Sequence, residues 1–167
     1  LISEVLPAET ANFGVAIEGD VNAWPEHYGD AVLPTFESFY PRRSYIEIFA
    51  EGVLPYEYQI KTTAPWIILN KDAAYAPDHR YWVDIDWRKA PEGKSTAIIE
   101  VTGNRQKVKV NVPIVKATKE QERQARGRFA SLDGPIAINA VDAVINKAVK
   151  GVSWQAIPDY GRDAFAL

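Results

Sequence analysis

The 167-residue sequence predicts a mainly β protein, an immunoglobulin-like antiparallel β-sandwich flanked by smaller pieces. Three observations predict it. Between residues 42 and 116, apolar and polar residues alternate with a period of two, the signature of strands with one buried and one wet face. Turn signals recur every 8–12 residues, the spacing of sandwich strands. The run "STAIIEVTGNRQKVKVNVPIV" (95–115) contains two such strands around "TGNR", a tight turn in which Gly and Asn make positive φ cheap.

Taken in order, residues 1–41 are rich in Pro, Gly, aromatics and acids. "FGVAIEGD" (Phe13–Asp20) reads as one short strand. Pro25, Pro34 and Pro41 then each remove a backbone donor and restrict the residue before them. This part is expected to be an extended connector from a preceding domain. Residues 42–116 are the sandwich. "SYIEIFA" (44–50) is its first strand, closed by the Gly/Pro turn "EGVLP". "YEYQIKTT" (56–63) sets Tyr56, Tyr58 and Ile60 against Glu57, Gln59 and Lys61. "APWIILN" (64–70) is a buried strand or corner. "RYWVDIDW" (80–87) sets Tyr81, Val83, Ile85 and Trp87 against Trp82, Asp84 and Asp86. In the last strand Val108, Val110, Val112 and Ile114 oppose Lys107, Lys109 and Asn111.

Residues 117–128 are predicted to form a short linker helix. Thr118 and Gln121 make a capping box, Gly127 suits the stop, and there is almost no apolar face. Residues 129–167 resume apolar alternation and read as the start of a C-terminal β domain, with a helical turn around 141–148. A proline-marked connector and open strand edges both need a covering surface, so the isolated chain is expected to associate.

Composition narrows the function. Hydrophobic residues make up 47% and charged residues 25%, with a net charge of −3 at pH 7. That is ordinary for a globular protein and gives no basic footprint for nucleic acid. No run of 18 apolar residues occurs, and the first residues lack a signal peptide's basic and apolar regions. Cysteine is absent, which removes disulfides and thiol chemistry. Methionine is absent too, which suggests a segment of something longer.

Chemistry candidates are few. Asp84 and Asp86, two apart on a strand, share one face, and paired carboxylates can act on a sugar. With the opposite parity filled by Tyr81, Val83, Ile85 and Trp87, they read instead as solvated acids balanced by basic neighbours. His27 and His79 have no partner at ligand spacing, so no metal site is assigned. No nucleophile elbow or phosphate loop occurs. No catalytic residue and no cofactor is therefore assigned within the chain. The aromatics say more, because sugars stack on exposed rings. Trp66 and Trp87 lie on the inward pattern and are expected in the core. Trp82 lies on the other face, either exposed or packed under a neighbouring domain. Trp82 and Trp24 are the candidate substrate-binding or interface residues.

The run R-Y-W-V-D-I-D-W-R-K-A-P (Arg80–Pro91), after P-W-I at Pro65–Ile67, resembles the C-terminal half of glycoside hydrolase family 115, the xylan α-1,2-glucuronidases. "FGVAIEGD", "AWP" and Leu33–Tyr58 resemble the stretch leading into that family's sandwich, and residues 129–167 the start of its last domain. The sandwich alone also resembles BACON-type immunoglobulin-like domains. One departure is that Ile138-Asn139-Ala140-Val141-Asp142 replaces an acidic I-E-A-E-H-like stretch, so roles of those acids do not transfer to Asn139 or Val141. The resemblance implies a secreted or periplasmic multidomain enzyme, usually a homodimer, that removes glucuronic acid or its 4-O-methyl form from xylan-type polysaccharide with inversion. Its catalytic carboxylates would lie in a barrel N-terminal to this chain, and these residues would be an accessory portion packed on the other domains. The alternative is a stand-alone carbohydrate-binding or interaction module.

Overall fold

Alternation sorts the side chains of residues 13–116 between two faces, and two sheets close over the apolar one. The computed structural model describes residues 8–128, 130–132 and 150–151, and two short strands beyond them. The strands are β1 (Phe13–Ile17), β2 (Ala23–Trp24), β3 (Ala31–Val32), β4 (Phe36–Glu37), β5 (Ser44–Ala50), β6 (Gln59–Thr62), β7 (Ile67–Lys71), β8 (His79–Ile85), β9 (Gly93–Gly103) and β10 (Gln106–Lys116). One sheet has the order β2-β1-β5-β8-β7 and is antiparallel throughout. The other has the order β3-β10-β9-β6, with β4 also on β10. The fold is a β-sandwich.

The core lies between the sheets. Phe13, Val15 and Ile17 of β1, Ile46 and Ile48 of β5, and Val83 of β8 face Ile99 and Val101 of β9 and Val108, Val110, Val112 and Ile114 of β10. Each such side chain, fully removed from water, contributes about 1.5–3 kcal/mol.

The expected connector enters this core. Residues 31–37 run beside β10 and parallel to it, with Ala31 opposite Val110 and Phe36 opposite Ile114. Leu33 donates its N–H to Asn111, and Ser38 donates to Val115. Pro34 has no N–H, which divides this ribbon into β3 and β4. Leu33 and Phe36 are buried with Phe13, Val15 and Trp24. The prolines that made this stretch read as a connector only shorten its strands, and the sandwich begins at β1 rather than at residue 42. The second sheet is consequently mixed, where the sequence predicts antiparallel pairing only.

Asn104 (φ 41°) and Arg105 (φ 62°) form the two-residue turn between β9 and β10. Two successive positive φ values give the twist that long paired strands require. Asn tolerates this region, but a Cβ-bearing Arg does so at a cost of about 1–2 kcal/mol. Arg105→Gly should therefore stabilise the fold by about 1 kcal/mol, read as a raised urea midpoint at unchanged slope. Gly103, which the sequence assigns to this turn, ends β9 beneath residues 57–58 instead, where an added Cβ would lie 2.1 Å from the Glu57 carbonyl oxygen.

The linker helix α1 (Lys119–Ala125) starts on the predicted box. Gln121 N–H donates to Thr118 Oγ1, and Thr118 N–H donates to Gln121 Oε1. It buries no side chain. Further on, β11 (Ile157–Pro158) pairs antiparallel with β12 (Phe165–Ala166). The helical turn expected at 141–148 lies outside the described residues.

Candidate functional site

Among the described residues, three places hold polar or aromatic groups that could act. They are the outer face of the first sheet, a polar cluster at one end of the core, and a groove between the sheets.

On the outer face, the β5–β8 register puts Tyr45 opposite Trp82 and Glu47 opposite Arg80. Asn70 of β7 flanks Trp82 on the other side. Trp82 is half-buried. Its indole N–H donates to Asp72 Oδ2 at 3.1 Å. The Arg43 guanidinium lies 4.0 Å above its ring, and Tyr45 meets it edge-on at 5.6 Å. Arg80 is held between two rings, 4.4 Å from Tyr45 and 4.0 Å from Tyr75, and pairs with Glu47. Cation–π contacts of this kind contribute about 0.5–2 kcal/mol each. The ring faces a sugar would stack on are thus occupied by guanidinium groups of the same chain.

The two aspartates separate. Asp84 stays on the outer face and accepts from Asn70 Nδ2 at 3.2 Å. Asp86 does not share that face, because β8 ends at Ile85 and the backbone turns. Its carboxylate is buried and accepts from the Arg88 N–H and Nε, each at 3.2 Å, with Lys89 Nζ at 3.5 Å. Its carbonyl accepts from Lys89 and Ala90 N–H. Hydrogen bonding from Arg88 holds its carboxyl below the usual range, so it is a charged brace for the turn. Trp66 is buried as expected, and Trp87 packs against the core.

The cluster was missed by sequence reasoning. Tyr58 Oη lies 2.6 Å from His79 Nδ1 and 2.9 Å from Tyr81 Oη, with Phe13 and Tyr56 alongside. His79 and Tyr81 share the inward parity of Val83 and Ile85, and that signal was legible. Burial, then Lys71, lowers the His79 pKa from its ordinary 6.5, while Asp78 opposes them. A lowered value means the folded state favours neutral imidazole. Its stabilising contribution is complete above pH 6.5 and is lost as the pH falls through the folded value. His79→Phe should remove this acid-side slope, which urea melts between pH 5 and 8 would show.

The groove measures about 320 Å³ and is lined by Trp24, Pro25, Gly29, Asp30, Lys107, Val108 and Lys109. Trp24 is buried as its floor, donates its indole N–H to Gly29 O at 2.8 Å and meets His27 edge-on at 5.4 Å. Its ring is therefore not an open stacking platform. The structure does not bring Trp24 and Trp82 together: Trp24 lies on β2 at one edge of the sheet, and Trp82 is three strands away on β8.

No helix among the described residues is long and apolar enough to cross a membrane. No model of a known protein family matches the chain, and no curated protein sequence matches it.

Proposed function

We propose that this chain is the accessory, non-catalytic β-sandwich portion of a larger glycoside hydrolase of family 115 type. The whole enzyme removes glucuronic acid or its 4-O-methyl form from xylan with inversion, acts outside the cytoplasm and is a homodimer. The observation that carries the reading is the use made of Arg80–Pro91, the run that most resembles the family. Arg80 is clamped by Glu47, Tyr45 and Tyr75. Trp82 is bonded to Asp72, Asp84 accepts from Asn70, and Asp86 braces a turn. Every one of these side chains supports the scaffold, and a scaffold role is what the resemblance implies. The outer face is rich in Trp, Tyr and Arg, the residue types that anchor protein interfaces. It suits packing against other domains of the same polypeptide.

The test compares two proteins on 4-O-methylglucuronoxylan. The native polypeptide containing this chain should release the uronic acid, and the chain alone should release none. Release by the chain alone would overturn the reading. A stand-alone carbohydrate-binding module is the second reading, favoured by the groove at Trp24. If it used Trp82 as a platform, Trp82→Ala would abolish retention on xylan at unchanged stability. We expect instead unchanged retention and a stability loss of about 2 kcal/mol, from lost packing and one hydrogen bond.

A further inference from the structure

We propose that the bond between Arg126 and Gly127 is a processing site, cut by an arginine-specific endoprotease while the sandwich stays folded. The inference goes beyond the accessory reading and does not rest on it.

The bond lies in a loop held shut at its base. On the way out, Ala117 N–H donates to Ser38 Oγ at 2.8 Å. On the way back, Ser131 Oγ donates to the Glu37 carboxylate at 3.1 Å, and Leu132 N–H donates to Glu37 Oε2 at 3.0 Å. Glu37 ends β4 and Ser38 follows it, so both ends of the loop are fixed at one point on the sandwich. Between them the chain stands clear. Residues 119–124 and 126–128 are exposed, and α1 buries no side chain. Among the described residues, the hydrogen bonds of 118–128 run only within that segment.

A helix of seven residues is too short to hold itself in water. This one rests on its capping box and on the Arg123–Glu120 pair. Opening it uncovers no apolar core, so it opens locally far more often than the paired strands do. Exposed loops of this kind are where nicking concentrates.

Within the loop, the backbone selects the bond. Endoproteases take their substrate as an extended strand, and an acidic pocket selects Arg. Arg126 already has extended backbone angles, φ −56° and ψ 125°, and its side chain is exposed. Gly127 follows with nothing within 4 Å of where a Cβ would stand. Arg123 is inside the helix and held by Glu120. The basic residues of the sandwich are less accessible to a protease. Arg43 lies over Trp82 and leads directly into β5. Arg88 and Lys89 are wound onto Asp86. Arg105 sits in the tight turn of the long hairpin. A cut at any of these requires a strand to leave its sheet.

The cut consumes one water. The bond from the Arg126 carbonyl carbon to the Gly127 nitrogen breaks. The hydroxyl of the water stays on Arg126 as part of a new carboxyl group, and its hydrogen passes to the Gly127 nitrogen as a new amine. Residues 1–126 keep every strand from β1 to β10.

The experiment treats the folded full chain with a trace of trypsin, an arginine- and lysine-directed probe, and times the products by intact mass. The first cut on the N-terminal side of Leu132 should fall at Arg126–Gly127. The 1–126 product should keep the urea midpoint of the intact chain. Thr118→Ala removes the helix cap and should speed this cut about fivefold, through a larger open population, at an unchanged urea midpoint. The inference is overturned by any of three results. They are a first such cut at another bond, a rate that Thr118→Ala leaves unchanged, or a 1–126 product that unfolds on release. None of them bears on the hydrolase reading, which is tested by the native polypeptide's activity.

Discussion

Phe36→Ala is expected to destabilise the chain by about 3–5 kcal/mol, the cost of deleting a fully buried aromatic ring. Phe36 is 0% exposed and lies on β4, opposite Ile114 at the end of the longest hairpin. It belongs to the core cluster and is paired to β10, so strands held in register cannot close over the vacated volume. If residues 31–37 merely lay over the sandwich, the same substitution would cost less than about 1 kcal/mol, as surface changes do. Urea unfolding followed by tryptophan fluorescence separates the two. A loss of that size is a large share of a small domain's total stability, so the variant should also unfold partly at 37 °C.

Gly103→Ala is the second large effect, expected at about 1–3 kcal/mol. The added methyl would stand 2.1 Å from the Glu57 carbonyl oxygen and 3.0 Å from the Tyr58 Cα. Both are backbone atoms, and they cannot turn aside as a side chain would. Residues 57–58 must therefore move away from β9, and Tyr58 must move with them. That shift lengthens its contacts to His79 and Tyr81. Gly103→Ala should accordingly lower the urea midpoint and weaken the acid-side dependence of His79 in the same protein. Gly127→Ala has nothing within 4 Å of its Cβ, so a loss there would show only the strain of its positive φ (71°). Comparing the two separates close approach from backbone strain.

The long hairpin was legible because Val, Ile and Lys alternate over eleven paired positions, enough to fix register by burial alone. The capping box was legible because it is local chemistry. The segment 13–37 was legible only at Phe13–Asp20. Strands of two residues carry no period, and parallel pairing with a strand about 80 positions away leaves no local mark. Asp86 was misplaced because period-2 counting continued past the end of β8, and strand ends are where that method is weakest. Of the candidate residues, Trp82 sits on the predicted outer face. Its Arg43 cover stands just before β5, two residues from the Tyr45 that lies opposite Trp82, and that β5 is the neighbour of β8 could not be counted off. The Trp24 groove joins residues 24–30 to residues 107–109, and only the fold makes those neighbours.

The most direct measurement is the intact mass of the native gene product containing this chain, taken with its activity on 4-O-methylglucuronoxylan. The expected result is a polypeptide several times 18.6 kDa that releases the uronic acid, with this sandwich on the C-terminal side of a barrel. A product near 18.6 kDa, or a larger one with no action on the polymer, would contradict the hydrolase reading.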